Sequence, residues 1–334
     1  MKTLKTLGAL TASLALTATL AVTAVPVATA SPSAELATAP GAAARSAEDL
    51  KIATYNVMFY LPQSLTNWGQ RERADLIARD GVVSGQDAVV FQEGQDNAAS
   101  ERLLTNLRGE YPYSTGWVGR SKSGWDATGG TWKSVGEDGG VAFASKWPIS
   151  RKEQYIFSAG CSFEAMSSKG FAYARLETDA GPVNLIGTHL QSEDSGCGDG
   201  EPARVRAAQI AEIKAFIDAK NFPADEPVFL AGDLNVIGGT PELDTTLAAL
   251  GAGPVTFAGP LSFDPSGNSI AAFRYPGTAP EQLDYVLPIG NFLDRPWVST
   301  TREVHSEPWT VTSWFRDYTY TDYSDHYPVF GAAG

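Results

Sequence analysis

Histidine is scarce in this chain, with three in 334 residues. Cysteine is rarer still: Cys161 and Cys197 are the two present, which leaves either one bridge or two free thiols. Basic residues are outnumbered, 25 Lys and Arg against 38 Asp and Glu, for a net charge of −13. That balance argues against a sequence-independent grip on nucleic acid, which needs Lys and Arg to neutralise phosphates. It leaves room for a nuclease, because a bound metal can supply the missing positive charge. No internal repeat, linker or break in composition divides the chain, so residues 48–334 read as one domain. The long apolar run near the N-terminus is interrupted by Thr, Ser and Pro, which argues against a retained membrane helix.

That N-terminal run has another reading. Lys2 and Lys5, the Leu/Ala/Val stretch behind them and Ala28-Thr29-Ala30 make the pattern of a cleavable export signal over residues 1–30. Residues 31–47, rich in Ala, Ser and Pro, read as a flexible leader. Export implies an extracellular, oxidising setting, which favours a Cys161–Cys197 disulfide over free thiols. Beyond the leader, apolar runs bounded by turn residues predict strands over Ile52–Val57, Ala88–Phe91, Val141–Ser145, Gln154–Phe157, Phe171–Leu176, Val183–Gly187, Val228–Ala231, Leu283–Leu287 and Tyr327–Phe330. Helices are predicted over Ala98–Leu107 and Pro202–Lys220. The second has Pro in its first turn and Val205, Ile210, Ile213, Phe216 and Ile217 near one stripe. Many strands and few helices predict an α/β fold of two packed sheets with helices outside, a four-layer sandwich.

The two histidines of greatest interest sit in short polar pieces that follow strand-like runs: Gly187-Thr188-His189 and Ser324-Asp325-His326. A third such piece is Gly232-Asp233-Leu234-Asn235. Polar side chains at buried strand ends suit metal-assisted attack on a phosphate ester. Glu93 follows Ala88–Phe91, and a carboxylate there is costly unless paired or metal-bound. With Asn56 it offers hard oxygens of the kind Mg²⁺ takes. Asp233 and Asn235 straddle Leu234, so an extended backbone points them the same way, toward water and a phosphate oxygen. Asp and Asn at a strand end also serve as ordinary turn formers. His326 is the candidate general base, Asp284 a candidate partner fixing its tautomer, and Asp325 a supporting acid. His189 could donate a hydrogen bond as charge builds on the phosphoryl group. His305 reads as a structural histidine.

The set Asn56, Glu93, His189, Asp233 with Asn235, Asp284 and Asp325-His326, in that order, resembles the endonuclease/exonuclease/phosphatase superfamily. The runs Gly187-Thr188-His189-Leu190-Gln191-Ser192-Glu193-Asp194, Asn268-Ser269-Ile270-Ala271, Leu283-Asp284-Tyr285 and Pro308-Trp309-Thr310-Val311-Thr312-Ser313-Trp314-Phe315 resemble its bacterial secreted sphingomyelinase C branch. The likeness spans about Lys51 to Phe330. It implies a DNase I-like sandwich of two mixed sheets and Mg²⁺-dependent cleavage of sphingomyelin into ceramide and phosphocholine, with Mn²⁺ or Co²⁺ as substitutes. It further implies a central metal site at Glu93 and Asn56, His326 as base, and His189 assisting at the phosphoryl group. Asp233 and Asn235 become the orienting pair, Asp284 steers a catalytic histidine, and the cysteines form a disulfide. Asn97, Glu137 and Asp138 match an additional edge metal site, although Gly94-Gln95 departs from the bulkier residues expected beside it. Asp194 is the candidate contact for the substrate's quaternary ammonium.

Residues Trp309 to Tyr320 read as a hairpin with Trp314 and Phe315 near its tip. On composition alone such aromatics fold back into a core. The resemblance implies instead that they engage a bilayer, where Trp is favoured at the interface. The expectation is a secreted monomeric enzyme acting at sphingomyelin-containing membranes, without a nucleic-acid partner. The rivals are a secreted nuclease of the same superfamily and a membrane-binding module without catalysis.

Overall fold

The computed structural model describes residues 46–60, 62–133 and 136–334. The expected export signal over residues 1–30, and the leader as far as residue 45, lie outside the described residues. In chain order the elements are β1 (Ile52–Asn56), α1 (Gln70–Arg79), β2 (Ala88–Gln92), α2 (Asn97–Leu107), β3 (Tyr113–Ser114), β4 (Ala127–Gly130), β5 (Ala142–Ser145) and β6 (Ile149–Ile156). Then come β7 (Gly170–Thr178), β8 (Gly181–His189), α3 (Glu201–Lys220), β9 (Val228–Asp233), α4 (Pro241–Leu250), β10 (Val255–Ala258) and α5 (Ser269–Arg274). The C-terminal part supplies β11 (Asp284–Ile289), β12 (Trp297–Thr301), β13 (Trp309–Ser313), β14 (Arg316–Tyr320) and β15 (Val329–Ala333).

Two mixed sheets form, in strand order β10-β12-β15-β1-β2-β5-β3 and β11-β9-β8-β7-β6-β4, while β13 and β14 pair as a separate hairpin. Between the sheets lies a core of Ile52, Val90, Phe143, Ala172, Leu185, Phe229, Val286 and Val329. On the outer face of the first sheet, Tyr55, Val89 and Phe91 pack under Ala74 and Ile77 of α1 and Ala99 and Leu103 of α2. Across the molecule, Tyr173, Ile186, Leu230 and Tyr285 pack under Ile210 and Ile213 of α3 and Leu243 of α4. This is the expected four-layer sandwich. Because both faces of β1, β2, β5 and β9 are covered, these strands are buried throughout, and that is why they read as unbroken apolar runs.

Elements differ from expectation where polarity or proline intervenes. The last strand starts at Val329, not Tyr327: Pro328 has no N–H to give a ladder, and the Tyr327 amide donates to Ser262 O at 2.7 Å. β6 extends five residues upstream of Gln154, through the polar Ser150-Arg151-Lys152, which the apolar criterion passed over. Helices α1, α4 and α5 also went unpredicted. α4 follows Thr240, whose side chain caps Leu243 N, with Pro241 in the first turn. Cys161 and Cys197 are joined by a disulfide. No helix among the described residues is long and apolar enough to cross a membrane.

Candidate active site

The polar side chains singled out in the sequence lie at one end of the sandwich, because the strands deliver them there. Parallel pairing of β8 and β9 sets His189 opposite Asp233, and antiparallel pairing of β9 and β11 sets Asp284 opposite the same Asp233. From the other sheet come Asn56, the last residue of β1, and Glu93, one residue past β2. The His326 segment is tied to them by Ser324, whose Oγ donates to Asn56 O at 2.7 Å. Gly187 lets the sheets close beneath the site: a Cβ there would stand 2.3 Å from Phe143 and 2.5 Å from Val90.

His326 Nδ1 lies 2.8 Å from Asp284 Oδ2 and donates to it, which leaves Nε2 directed at Asp233 Oδ2, 3.9 Å away. His189 Nε2 approaches that same oxygen at 3.7 Å. Asn56 Nδ2 donates to it at 3.0 Å and to Glu93 Oε1 at 3.2 Å. Asp233 Oδ1 accepts from the Asn235 amide at 2.9 Å. Asp325 turns away from the imidazoles and pairs with Arg274 at 2.8 Å. His326, His189, Asp233, Glu93, Asn235 and Asp325 line a cleft of about 500 Å³ whose walls include Tyr60, Lys169, Asp194, Arg274 and Tyr275. Glu93 and Asn235 hold left-handed backbone, φ 57° and 50°, as does nearby Met58 at 49°. Non-glycine residues adopt that region at a cost, and such strain collects at functional sites.

Electrostatics set the protonation states. Burial, with the charge of Asp325, raises the Glu93 carboxyl above the usual range. Burial and the neighbouring Asp284 carboxylate push Asp233 up to about 7. Burial, Lys169 and His326 hold His189 well below the ordinary histidine value, so it stays neutral. His326 goes the other way: burial opposes its charge, but Asp284, Asp233 and Asp325 outweigh that and push it up to about 10. An added cation among these acids would lower the proton affinity of His326 and all of them together.

The donor set fits such a cation. Asp233, Asp284 and His326 present ligand atoms within 4.8 Å of one another, and Glu93 stands across Asn56 from them. Asp284 Oδ1 and His189 Nδ1 are buried with no hydrogen-bond partner among the described residues. Buried carboxylates of like charge are unfavourable unless something positive joins them. Hard oxygens suit Mg²⁺.

Asn56 sits beside Glu93 and Asp233: its Nδ2 donates to both acids, and its Oδ1 accepts from Met58 N at 3.0 Å. Asn235 does not continue an extended strand. β9 ends at Asp233, the chain turns left-handed, and Asn235 Nδ2 donates to Leu190 O at 3.1 Å, though both side chains still line the cleft. In the edge set, Arg120 donates to Asp138 Oδ2 at 2.7 Å and to Gly94 O at 2.6 Å. Asp138 Oδ1 accepts from Gly140 N, Glu137 lines the main cleft, and Asn97 is exposed at the start of α2. Asp194 does line the cleft, with Oδ1 also accepting from Gly196 N at 2.7 Å.

Trp314 and Phe315 do not fold back onto the body. They are 77% and 100% exposed at the β13–β14 turn. The base of the hairpin is what packs, through Val311 and Tyr320 against Met58 and Ile270. Sequence reasoning missed two cleft cations. Buried Lys169 donates to Glu164 Oε1 at 2.6 Å and to Leu190 O at 2.9 Å, and lies 3.5 Å from His189 Nε2. Arg274 closes the motif region that begins at Asn268. Its place on a short helix was the only signal, and α5 went unpredicted.

Comparison with known proteins agrees with this geometry. The endonuclease/exonuclease/phosphatase family model matches residues 53–326. A Staphylococcus aureus protein named phospholipase C is 45% identical over 289 residues, 84% of this chain and 86% of its own. The crystal structure of sphingomyelinase C from Streptomyces griseocarneus has a TM-score of 0.82 and 48% identity, covering 86% of this chain and 99% of that one. A mutant beta toxin from Staphylococcus aureus, crystallised with bound magnesium ions, has a TM-score of 0.83 and 43% identity, over 86% of this chain and all of the toxin's. The chain belongs to the endonuclease/exonuclease/phosphatase family, in its branch of bacterial sphingomyelinases C.

Proposed function

We propose that residues 48–334 form a secreted, monomeric, Mg²⁺-dependent phosphodiesterase that hydrolyses sphingomyelin at membrane surfaces into ceramide and phosphocholine. The observation that carries this reading is the Asp284–His326 pair opening onto the same cleft as Glu93 and Asp233, in a chain so similar to sphingomyelinase C. Glu93 and Asp233 would hold the divalent ion, Mg²⁺ or in its stead Mn²⁺ or Co²⁺, which when bound supplies positive charge to the phosphoryl oxygens and eases deprotonation nearby. His326 Nε2 takes a proton from the attacking water, while Asp284 keeps the imidazole in one tautomer and stabilises its cation. Neutral His189 donates toward the phosphoryl group or the departing ceramide oxygen as negative charge develops. Asn56 holds the two acids in register. The acidic composition disfavours the nuclease reading.

The test is phosphocholine release from sphingomyelin vesicles, set against DNA degradation, with Mg²⁺ and with EDTA. The expected result is lipid turnover that needs the metal, no DNA cleavage, and a fall of about 10²–10⁴-fold or more for His326→Ala with an unchanged melting temperature. Turnover that survives EDTA, or a near-normal His326→Ala enzyme, would refute the proposal.

A further inference from the structure

Arg274 is a cleft residue with no part in the chemistry above. It ends α5, and Asn268 fixes that helix twice over. The Asn268 side chain caps the amides of Ile270 and Ala271 at 3.0 Å, and its Nδ2 donates to Ser324 O at 2.8 Å. The helix carrying Arg274 is thereby tied to the segment carrying His326. The guanidinium is held as firmly. Its carbon lies 5.0 Å from the ring of Tyr275, 5.5 Å from Trp68 and 6.0 Å from Tyr60, and Nη1 donates to Asp325 Oδ2 at 2.8 Å.

A guanidinium has five N–H donors, yet Asp325 is the single acceptor it meets among the described residues. The side chain is only 17% exposed, and what is exposed opens onto the cleft with Glu93 and His326. A charged donor this enclosed, with hydrogen bonds still to give, is expensive unless an anion completes its shell. The planar fork and the ring cage also remove the side-chain entropy that a free arginine would lose on binding. Glu93, whose charge also acts on Arg274, is the acid proposed above to hold the cation.

We propose that Arg274 binds substrate directly: its free N–H groups hold a non-bridging oxygen of the phosphodiester, with Asp325 and the aromatic cage positioning it. The assignment deepens the function proposed above and rests on it. Arg274 thus contributes a fixed positive charge opposite the ion site, and Asp325 is a positioning residue that acts through Arg274.

The experiment compares wild type, Arg274→Gln and Arg274→Lys, all with Mg²⁺, in three measurements. These are steady-state hydrolysis of sphingomyelin in mixed micelles, competitive inhibition by phosphocholine, and binding of phosphocholine by calorimetry. For Arg274→Gln, kcat/KM should fall roughly 10- to 100-fold, the size of a charged hydrogen bond. Its phosphocholine affinity should weaken by a comparable factor. Arg274→Lys, which keeps the charge but not the fork, should recover part of both. Melting temperature and vesicle binding should stay near wild type. If phosphocholine affinity is unchanged in both variants, Arg274 does not touch the phosphate and the proposal is overturned, whatever the loss of turnover. Should Arg274→Gln not fold, Arg274→Lys decides by the same criterion. A wild type that leaves sphingomyelin intact but binds phosphocholine in an Arg274-dependent way would sink the function and leave this assignment standing.

Discussion

The turn at the tip of β13–β14 invites a substitution that separates folding from membrane contact. Trp314 and Phe315 have φ values of 51° and 64°, so both central residues of a two-residue turn occupy the left-handed region. Hairpins favour that geometry because it matches strand twist, but they normally fill it with Asn-Gly. A bulky residue there costs about 1–2 kcal/mol. Neither aromatic recovers this by packing, since they are 77% and 100% exposed. Something outside the folded chain must favour them. Burying a large apolar side chain contributes about 1.5–3 kcal/mol, so inserting both into a bilayer would contribute on the order of 4 kcal/mol.

Replacing the pair as Trp314→Asn with Phe315→Gly should therefore have opposite effects on two observables. The protein should melt higher, by about 2–4 °C for each kcal/mol of turn strain relieved, because no core contact is lost. Its partition onto sphingomyelin–phosphatidylcholine vesicles, read by co-sedimentation, should weaken by on the order of a thousandfold. Hydrolysis of a soluble phosphocholine ester should not change, because the tip does not line the cleft. A lowered melting temperature would mean that the aromatics support the fold. Unchanged partition would mean that the bilayer contact lies elsewhere. Either result refutes the reasoning.

Two further predictions concern stability. The Cys161–Cys197 bridge spans 36 residues, so Cys161→Ser with Cys197→Ser should lower unfolding free energy by about 4 kcal/mol in urea titrations; it should also impair turnover, because the closed loop holds Glu164 and the Lys169 that pairs with it. His305 is raised above the ordinary histidine value: burial opposes its charge, but its hydrogen bonds to Glu303 and Asp322 outweigh that. Its stabilising contribution is thus complete below the unfolded histidine pKa near 6.5 and is lost as pH rises through the raised folded value. NMR titration should find that elevated value, and His305→Gln should flatten the melting temperature across the same window.

The layers and the strand ends were legible in the sequence for one physical reason. A strand covered on both faces must be apolar at nearly every position, so Ala88–Phe91 and Val228–Ala231 announce themselves, and so do the polar residues just past each run. Glu93, His189 and Asp233 were found that way. The same criterion is blind to elements that are polar on one side. α1 reads Gln-Arg-Glu-Arg before its first apolar turn, and β6 carries Ser150-Arg151-Lys152. Polar composition hid them, although Arg73 of α1 is fully buried and donates to Val57 O, Met58 O and Tyr323 O beneath the site.

Partnership across space is a different kind of information. The resemblance matched Asn97, Glu137 and Asp138 to an edge metal site. In the fold Glu137 lines the main cleft and Asp138 pairs with Arg120, a residue 18 positions away with nothing local to mark it. The same holds for Arg274 and Asp325, 51 residues apart. In both cases an acid that sequence reading sets aside for a metal, or for general support, is matched by an arginine once the chain folds. At Asp138 the match is complete, because both carboxylate oxygens and the Gly94 carbonyl are engaged. At Asp325 it is lopsided, because the acid takes one donor of five and Arg274 lines the cleft that also holds Glu93 and His326. That asymmetry separates a structural ion pair from one poised to receive an anion.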